Sequence, residues 1–235
     1  MTNKAARNEV MLHIRPAFEH HRDPHAAAAM EAYMRNQFPF LGIKAPKRRE
    51  IQKELLKEHT PTPAWIQLLW ELPEREYAVF ATDLLIKLRK KLGPEHMGLI
   101  EYCITTKSWW DTVDAIASHV VGYMFANFPN LREEYAEKWI CSDNLWLNRT
   151  VILHQLSYKQ KTDEVRLYES ILIHAGSLEF FHQKAIGWAL REYAKTNPDS
   201  VLSFVREYEK VLKPLSRREA LKHLIHREES DRRQQ

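Results

Sequence analysis

Glycine is scarce in this chain, with 6 among 235 residues. All-β folds depend on tight turns, and tight turns depend on Gly, so the shortage favours helices. Cysteine is scarcer still. Cys103 and Cys141 lie far apart with no metal-ligand spacing, which excludes a disulfide scaffold and points to a reduced, cytoplasmic protein. No stretch is apolar enough to span a membrane, and the start, MTNKAARNEVMLHIRPAF, lacks the long apolar run of a secretory signal. Low-complexity linkers are lacking too. The reading is therefore one domain, residues 1–235, with a polar tail from about Glu228. The twelve histidines form no HExxH pattern, and neither a metal motif nor a cofactor loop is found, so no cofactor and no metal are expected.

What is present is helical periodicity. Hydrophobic residues make up 44% and charged residues 28%, the profile of a globular chain. The net charge of +4 permits a polyanionic partner without requiring one. Ile186, Ala189, Leu190 and Tyr193 fall on one stripe at i, i+3, i+4, i+7. Breaks fall at HTPTP (59–63), Gly93-Pro94, Phe128-Pro129-Asn130, Ser142-Asp143-Asn144, Ala175-Gly176-Ser177 and Asn197-Pro198-Asp199. Ser108 is placed to cap a helix from Trp109, and Ser142, Asp143 or Asn144 to cap the next. Similar helix centres recur near Arg75, Thr112, Arg149, Lys184 and Arg218, in steps of 37, 37, 35 and 34 residues. That period suits a helix-turn-helix unit of the HEAT or TPR kind. Such units cannot bury their apolar faces alone, so the expected fold is all-α, a curved solenoid of HEAT-like repeats with a concave face.

Three stretches carry candidate chemistry: TKSWWDTVD (106–114), SDNLWLNR (142–149) and FFHQKAIGWALREYAKTNPD (180–199). Each places an aromatic three or four residues before a charge, as Trp110 before Asp114, Trp146 before Arg149 and Trp188 before Arg191, which puts both on one helix face. Val113, Ile116, Ala117 and Val120 form the buried stripe of the first helix and Trp109 falls within it, leaving Trp110 and Asp114 at its edge. Asp114 has no cation three or four positions away, which leaves an ion pair between repeats or a cap as its structural alternatives. Arg149 interrupts an apolar stripe of Leu145, Ile152 and Leu156, so it needs a carboxylate or a phosphate. Trp188, Arg191 and Lys184 lie opposite their helix's own stripe. They either line a groove or fill a seam between repeats and meet solvent. Lys159 and Lys161, in the loop YKQK, extend a row of cations formed with Arg149, Lys184 and Arg191 that suits a nucleic-acid backbone, with a solvated charge run as the alternative.

These stretches closely resemble the bacterial AlkD family of alkylpurine DNA glycosylases. Further similarity lies in AYMRNQFPFLGIKAP (32–46), ELPEREY (71–77) and PLSRREALKH (214–223), so the resemblance covers nearly the whole chain. It implies a concave face that holds duplex DNA and hydrolysis of the N-glycosidic bond of cationic N3- or N7-alkylated purines (3-methyladenine, 7-methylguanine). It implies a catalytic carboxylate at Asp114, groove-lining tryptophans at Trp110 and Trp188, phosphate-binding arginines at Arg149 and Arg191, and Tyr33 beside the lesion. The lesion would stay largely in the duplex rather than flip into a pocket. Alkylation gives the purine a positive charge and makes it a good leaving group, so a strong general acid is not needed. A carboxylate and two π-faces suit the oxocarbenium ion left on the sugar. No Lys is placed as a Schiff-base nucleophile, which predicts a monofunctional enzyme without lyase activity. The expected partner is duplex DNA bearing alkylated purines, with no membrane and no obligate protein partner, and the expected state is a monomer associated with the nucleoid when bound to DNA. Two other readings stand beside this one. An inactive relative that binds bent or branched DNA would not need Asp114, Trp110 and Trp188, and a protein-binding scaffold would not need paired aromatics and cations.

Overall fold

A computed structural model describes residues 3–233, with side chains described for 4–222 and 224. The tail expected from about Glu228 lies outside the residues whose side chains are described. Every described element is helical, as the glycine shortage and the periodicity predict. The chain packs as two compact units, Met1–Thr112 and Val113–Gln235. Their boundary falls inside a helix, where no change in composition marks it.

The first unit contains α1 (Asn3–Glu9), a π-helical turn (Val10–Ile14), α2 (Arg15–Glu19), α3 (Pro24–Tyr33), α4 (Ala45–Glu58), α5 (Pro63–Glu71), α6 (Arg75–Leu88) and α7 (Met97–Thr105), and α8 (Trp110–Ala115) begins in it. α5 packs on α6. Fully buried Phe18, Trp65, Trp70, Tyr77 and Phe80 fill the core, with Phe18 against Tyr77 and Phe80 at ring-centroid distances of 5.3 and 5.7 Å.

The second unit takes the end of α8, a π-helical turn (Ile116–Val121), α9 (Gly122–Asn127), α10 (Pro129–Ile140), α11 (Leu145–Leu153), α12 (Glu164–His174), α13 (Phe180–Tyr193), α14 (Pro198–Glu207) and α15 (Pro214–Arg233). α13 packs on both α11 and α15. The buried stripe Val113, Ile116, Ala117, Val120 continues through Val121, Met124 and Phe125. Those positions recur every four residues. An α-helix turns about 100° per residue, so over that span its buried face would drift by roughly 120°. The wider π turn takes up the excess and keeps one face inward.

Local chemistry sets the helix starts. Pro24, Pro63, Pro129, Pro198 and Pro214 each open a helix, where a missing N–H costs nothing. Asn144 caps α11, its side chain accepting from the N–H groups of Trp146 and Leu147 at 2.9 and 3.2 Å. Asn197 caps α14. Ser108 does not cap. Its hydroxyl donates to the Ile104 carbonyl at 2.6 Å, closing the end of α7, and the next helix starts at Trp110. Cys103 is buried and Cys141 exposed, and both are free thiols.

The repeat spacing reappears as hydrogen bonds between residues 32 to 36 apart. In the first unit, Trp70 Nε1 donates to Thr106 (separation 36) and Arg75 to the Lys107 carbonyl (separation 32). In the second, Tyr158 donates to the Gly122 carbonyl (36), Ser216 to the Gln183 carbonyl (33), and His174 bonds the Ile140 carbonyl (34).

Candidate functional site

In the first unit, Tyr33 closes α3 and its side chain stands in solvent, the residue being 73% exposed. Trp110 opens α8 and meets Tyr33 edge to face, with ring centroids 6.3 Å apart. Below it, Trp109, Trp110, Met30 and Phe38 pack on the buried cluster Ala27, Met34 and Phe40. Trp110 is thus anchored on one side and partly open on the other, next to the tyrosine expected at the lesion.

Two motif residues of this unit have structural duties. Arg75 is buried and grips Asp111 through both carboxylate oxygens. It also donates to Thr112 Oγ1 at 2.9 Å and to the Lys107 carbonyl at 2.6 Å, and it lies 4.0 Å above the Phe38 ring. Glu76 accepts from the backbone N–H groups of Leu41, Gly42 and Ile43 at 2.9, 2.9 and 3.0 Å. One carboxylate therefore fixes the loop FLGI, in which Gly42 has φ of +88° and no room for a Cβ.

In the second unit, Asp114 and Arg149 form a bidentate pair. Arg149 Nε donates to Oδ1 at 2.7 Å and Nη2 to Oδ2 at 2.8 Å. The side chains are 12% and 5% exposed. Arg149 Nη1 donates to the Phe181 carbonyl at 2.6 Å, so all three nitrogens of the guanidinium are engaged by the protein. The sequence left a carboxylate or a phosphate open as the partner of Arg149. The carboxylate is realised, because the arginine springs from the buried side of α11, where two charge-assisted bonds offset its desolvation. The ion pair between repeats, open as an alternative for Asp114, is formed with the residue 35 positions ahead.

Arg149 is braced from behind. Trp146 packs on Phe181 with tilted rings whose centroids lie 4.9 Å apart. Asn148 donates to the carbonyls of Trp139 and Ser142 at 2.8 and 2.9 Å and bonds His182 at 3.2 Å. Burial, and then the neighbouring His174 and Arg149, hold the His182 imidazole down at about 4. The conspicuous Asn of SDNLWLNR is thus a clamp on the end of α10.

On α13, Lys184, Trp188 and Arg191 share a face that is half-buried. Lys184 Nζ and Arg191 Nη1 both reach Glu219 of α15, at 3.0 and 2.5 Å. Burial opposes ionisation of Glu219, but the two cations hold its carboxyl below the usual range. Lys159 and Lys161 are exposed on a 3-10 turn, with Lys159 at φ of +53°. The structure brings together Tyr33 with Trp110, Asp114 with Arg149, and Lys184 with Arg191 through Glu219. Phe181 and Glu219 are absent from the sequence reading of the site. A glycine in mid-helix, Gly187, was the available signal for Glu219, since Glu219 sits against it.

An all-helical repeat protein with a carboxylate gripped by an arginine from the next repeat is the class these features define. Residues 14–224 match the family of DNA alkylation repair enzymes. A solved structure described as "Predicted DNA alkylation repair enzyme from Enterococcus faecalis" is 36% identical over 86% of this chain and 96% of its own, with a TM-score of 0.78. This chain belongs to the DNA alkylation repair enzyme family. No curated protein matches it.

Proposed function

We propose that the protein is a monofunctional DNA glycosylase that hydrolyses the N-glycosidic bond of cationic N3- and N7-alkylated purines in duplex DNA. The observation that carries this reading is the Asp114–Arg149 pair. A carboxylate bound to a guanidinium through both oxygens is an anion with no proton to give. It suits a reaction whose leaving group already bears a positive charge and whose sugar turns cationic. With its charge held in place by Arg149, Asp114 is suited to face the cationic sugar or to orient the attacking water.

In this reading Arg149 orients Asp114, and phosphate contacts fall to Arg191, Lys184, Lys159 and Lys161. Trp110 and Trp188 offer π-faces to the cationic sugar, worth roughly 0.5–2 kcal/mol each. Tyr33, exposed beside Trp110, contacts the strand at the lesion. A carboxylate held as an anion by Arg149, rather than as an acid, supports a range confined to already labile lesions. The test is release of 7-methylguanine from methylated duplex DNA by wild type and by Asp114→Asn. Release by wild type alone supports the reading. Release by neither, with DNA binding retained, favours a DNA-binding relative without glycosylase activity. Equal release by both removes Asp114 from the mechanism.

A further inference from the structure

The PLSRREALKH stretch opens α15, and its packing on α13 is close. Ser216 is buried and its hydroxyl donates to the Gln183 carbonyl at 3.1 Å. A Cβ built on Gly187 would lie 2.4 Å from Glu219 Cβ and 3.0 Å from the Ser216 carbonyl oxygen. Only glycine at position 187 lets α15 come this near, and the approach delivers the Glu219 carboxylate onto the face of α13. Lys184, Gly187, Trp188 and Arg191 occupy i, i+3, i+4 and i+7 of that helix, one continuous strip. Glu219 sits over the middle of the strip and joins its ends, taking Lys184 on one oxygen and Arg191 on the other. The three side chains are 15%, 36% and 27% exposed, so the bridge lies at the rim of the protein, where a ligand can reach it.

We propose that Glu219 sets the DNA affinity of this face by standing in for a backbone phosphate: the free protein keeps Lys184 and Arg191 on the Glu219 carboxylate, and binding passes them to a phosphate beside Trp188. The inference rests on the DNA-repair reading and deepens it. A carboxylate and a phosphate present the same chemistry to these cations, a pair of anionic oxygens on one centre. A lysine and an arginine spaced by seven residues on this half-buried strip would repel each other and attract any polyanion. The carboxylate prearranges both and makes non-specific contact cost the exchange of one anion for another. Non-specific binding is almost wholly a matter of such phosphate contacts and the counterions they release.

The experiment is fluorescence anisotropy with an unmodified 20-base-pair duplex over a range of salt, using wild type, Glu219→Gln, Lys184→Ala/Arg191→Ala and the triple variant. Glutamine keeps the size and much of the hydrogen bonding at 219, and a thermal melt checks each fold. Glu219→Gln is expected to bind roughly three to ten times tighter at low salt, the scale of a partly exposed ion pair released. Its plot of log affinity against log salt should steepen by up to about one. In the Lys184→Ala/Arg191→Ala background the same change should do nothing. Wild-type binding that Glu219→Gln leaves unchanged or weakens, with the fold intact, overturns the inference and leaves the functional reading standing. A Glu219→Gln gain that survives loss of both cations overturns it as well. No duplex binding by wild type or Glu219→Gln overturns the DNA reading and this inference together.

Discussion

Asp114 can lose its charge while keeping its shape, which separates chemistry from binding. In Asp114→Asn the amide meets the Arg149 donors with one donor of its own, so one of two charge-assisted bonds is lost. Base release should fall by roughly a hundredfold or more, the scale of removing one preorganised electrostatic contact, while duplex affinity changes little. Single-turnover release and anisotropy on the same variant check both halves. Arg149→Ala should behave differently. It removes the bidentate partner of a largely buried carboxylate, so the denaturant midpoint should drop by the equivalent of about 3 kcal/mol, and release should fall with it. A variant as stable as wild type would mean that Arg149 carries no structural load. The arginine's need was legible in sequence, since a cation inside an apolar stripe must find an anion. Its partner was not, because no local spacing encodes a contact 35 residues away.

At the scale of the helix, Gly187 is the sharpest test of packing. Glycine inside a helix costs about 1 kcal/mol against alanine, so Gly187→Ala gains intrinsic helicity. The new methyl would meet Glu219 Cβ at 2.4 Å, and α13 and α15 must part to admit it. Overpacking of this kind costs about 1–3 kcal/mol, so the clash is expected to win and the melting temperature to fall. A rise would show that the two helices separate freely. Helix starts were legible at Pro129 and Asn197 and, among three candidate caps, at Asn144, but not at Pro24 or Pro214. Ser108 misled because a hydroxyl can serve either of two helices, and its bond to Ile104 assigns it to the earlier one. The buried stripe of Val113 to Val120 was legible as well. The π turn within it was not, since a helical period was assumed rather than measured.

For the molecule as a whole, buried histidines tie stability to pH. Burial keeps His154 neutral, its pKa held down to about 4, and the same cause acts first on His182. Both take up a proton more readily in the unfolded chain. Stability from these groups is therefore complete above about pH 6.5 and is lost as pH falls toward about 4. For fully buried His154 alone the loss amounts to roughly 3 kcal/mol. Guanidinium titrations at pH 7.5 and pH 5 should show a lower midpoint at pH 5, and equal midpoints would mean that neither histidine is neutral in the folded state. The overall architecture was the most legible property, because the steps of 34 to 37 residues between helix centres echo the separations of the bonds that join the repeats. The division between Thr112 and Val113 left no trace in composition, since it runs through a helix rather than a linker.

The π turn at Ile116–Val121 makes residue number, and not residue identity alone, a determinant of the chemistry. Inserting a residue at Ser118 would add about 100° that the turn does not absorb and swing Asp114 relative to α9, away from Arg149, although neither residue is touched. Deleting Ser118 should instead convert the turn to ordinary helix and leave the two nearly in register. The insertion should abolish base release with every proposed catalytic side chain still present, and the deletion should be tolerated far better.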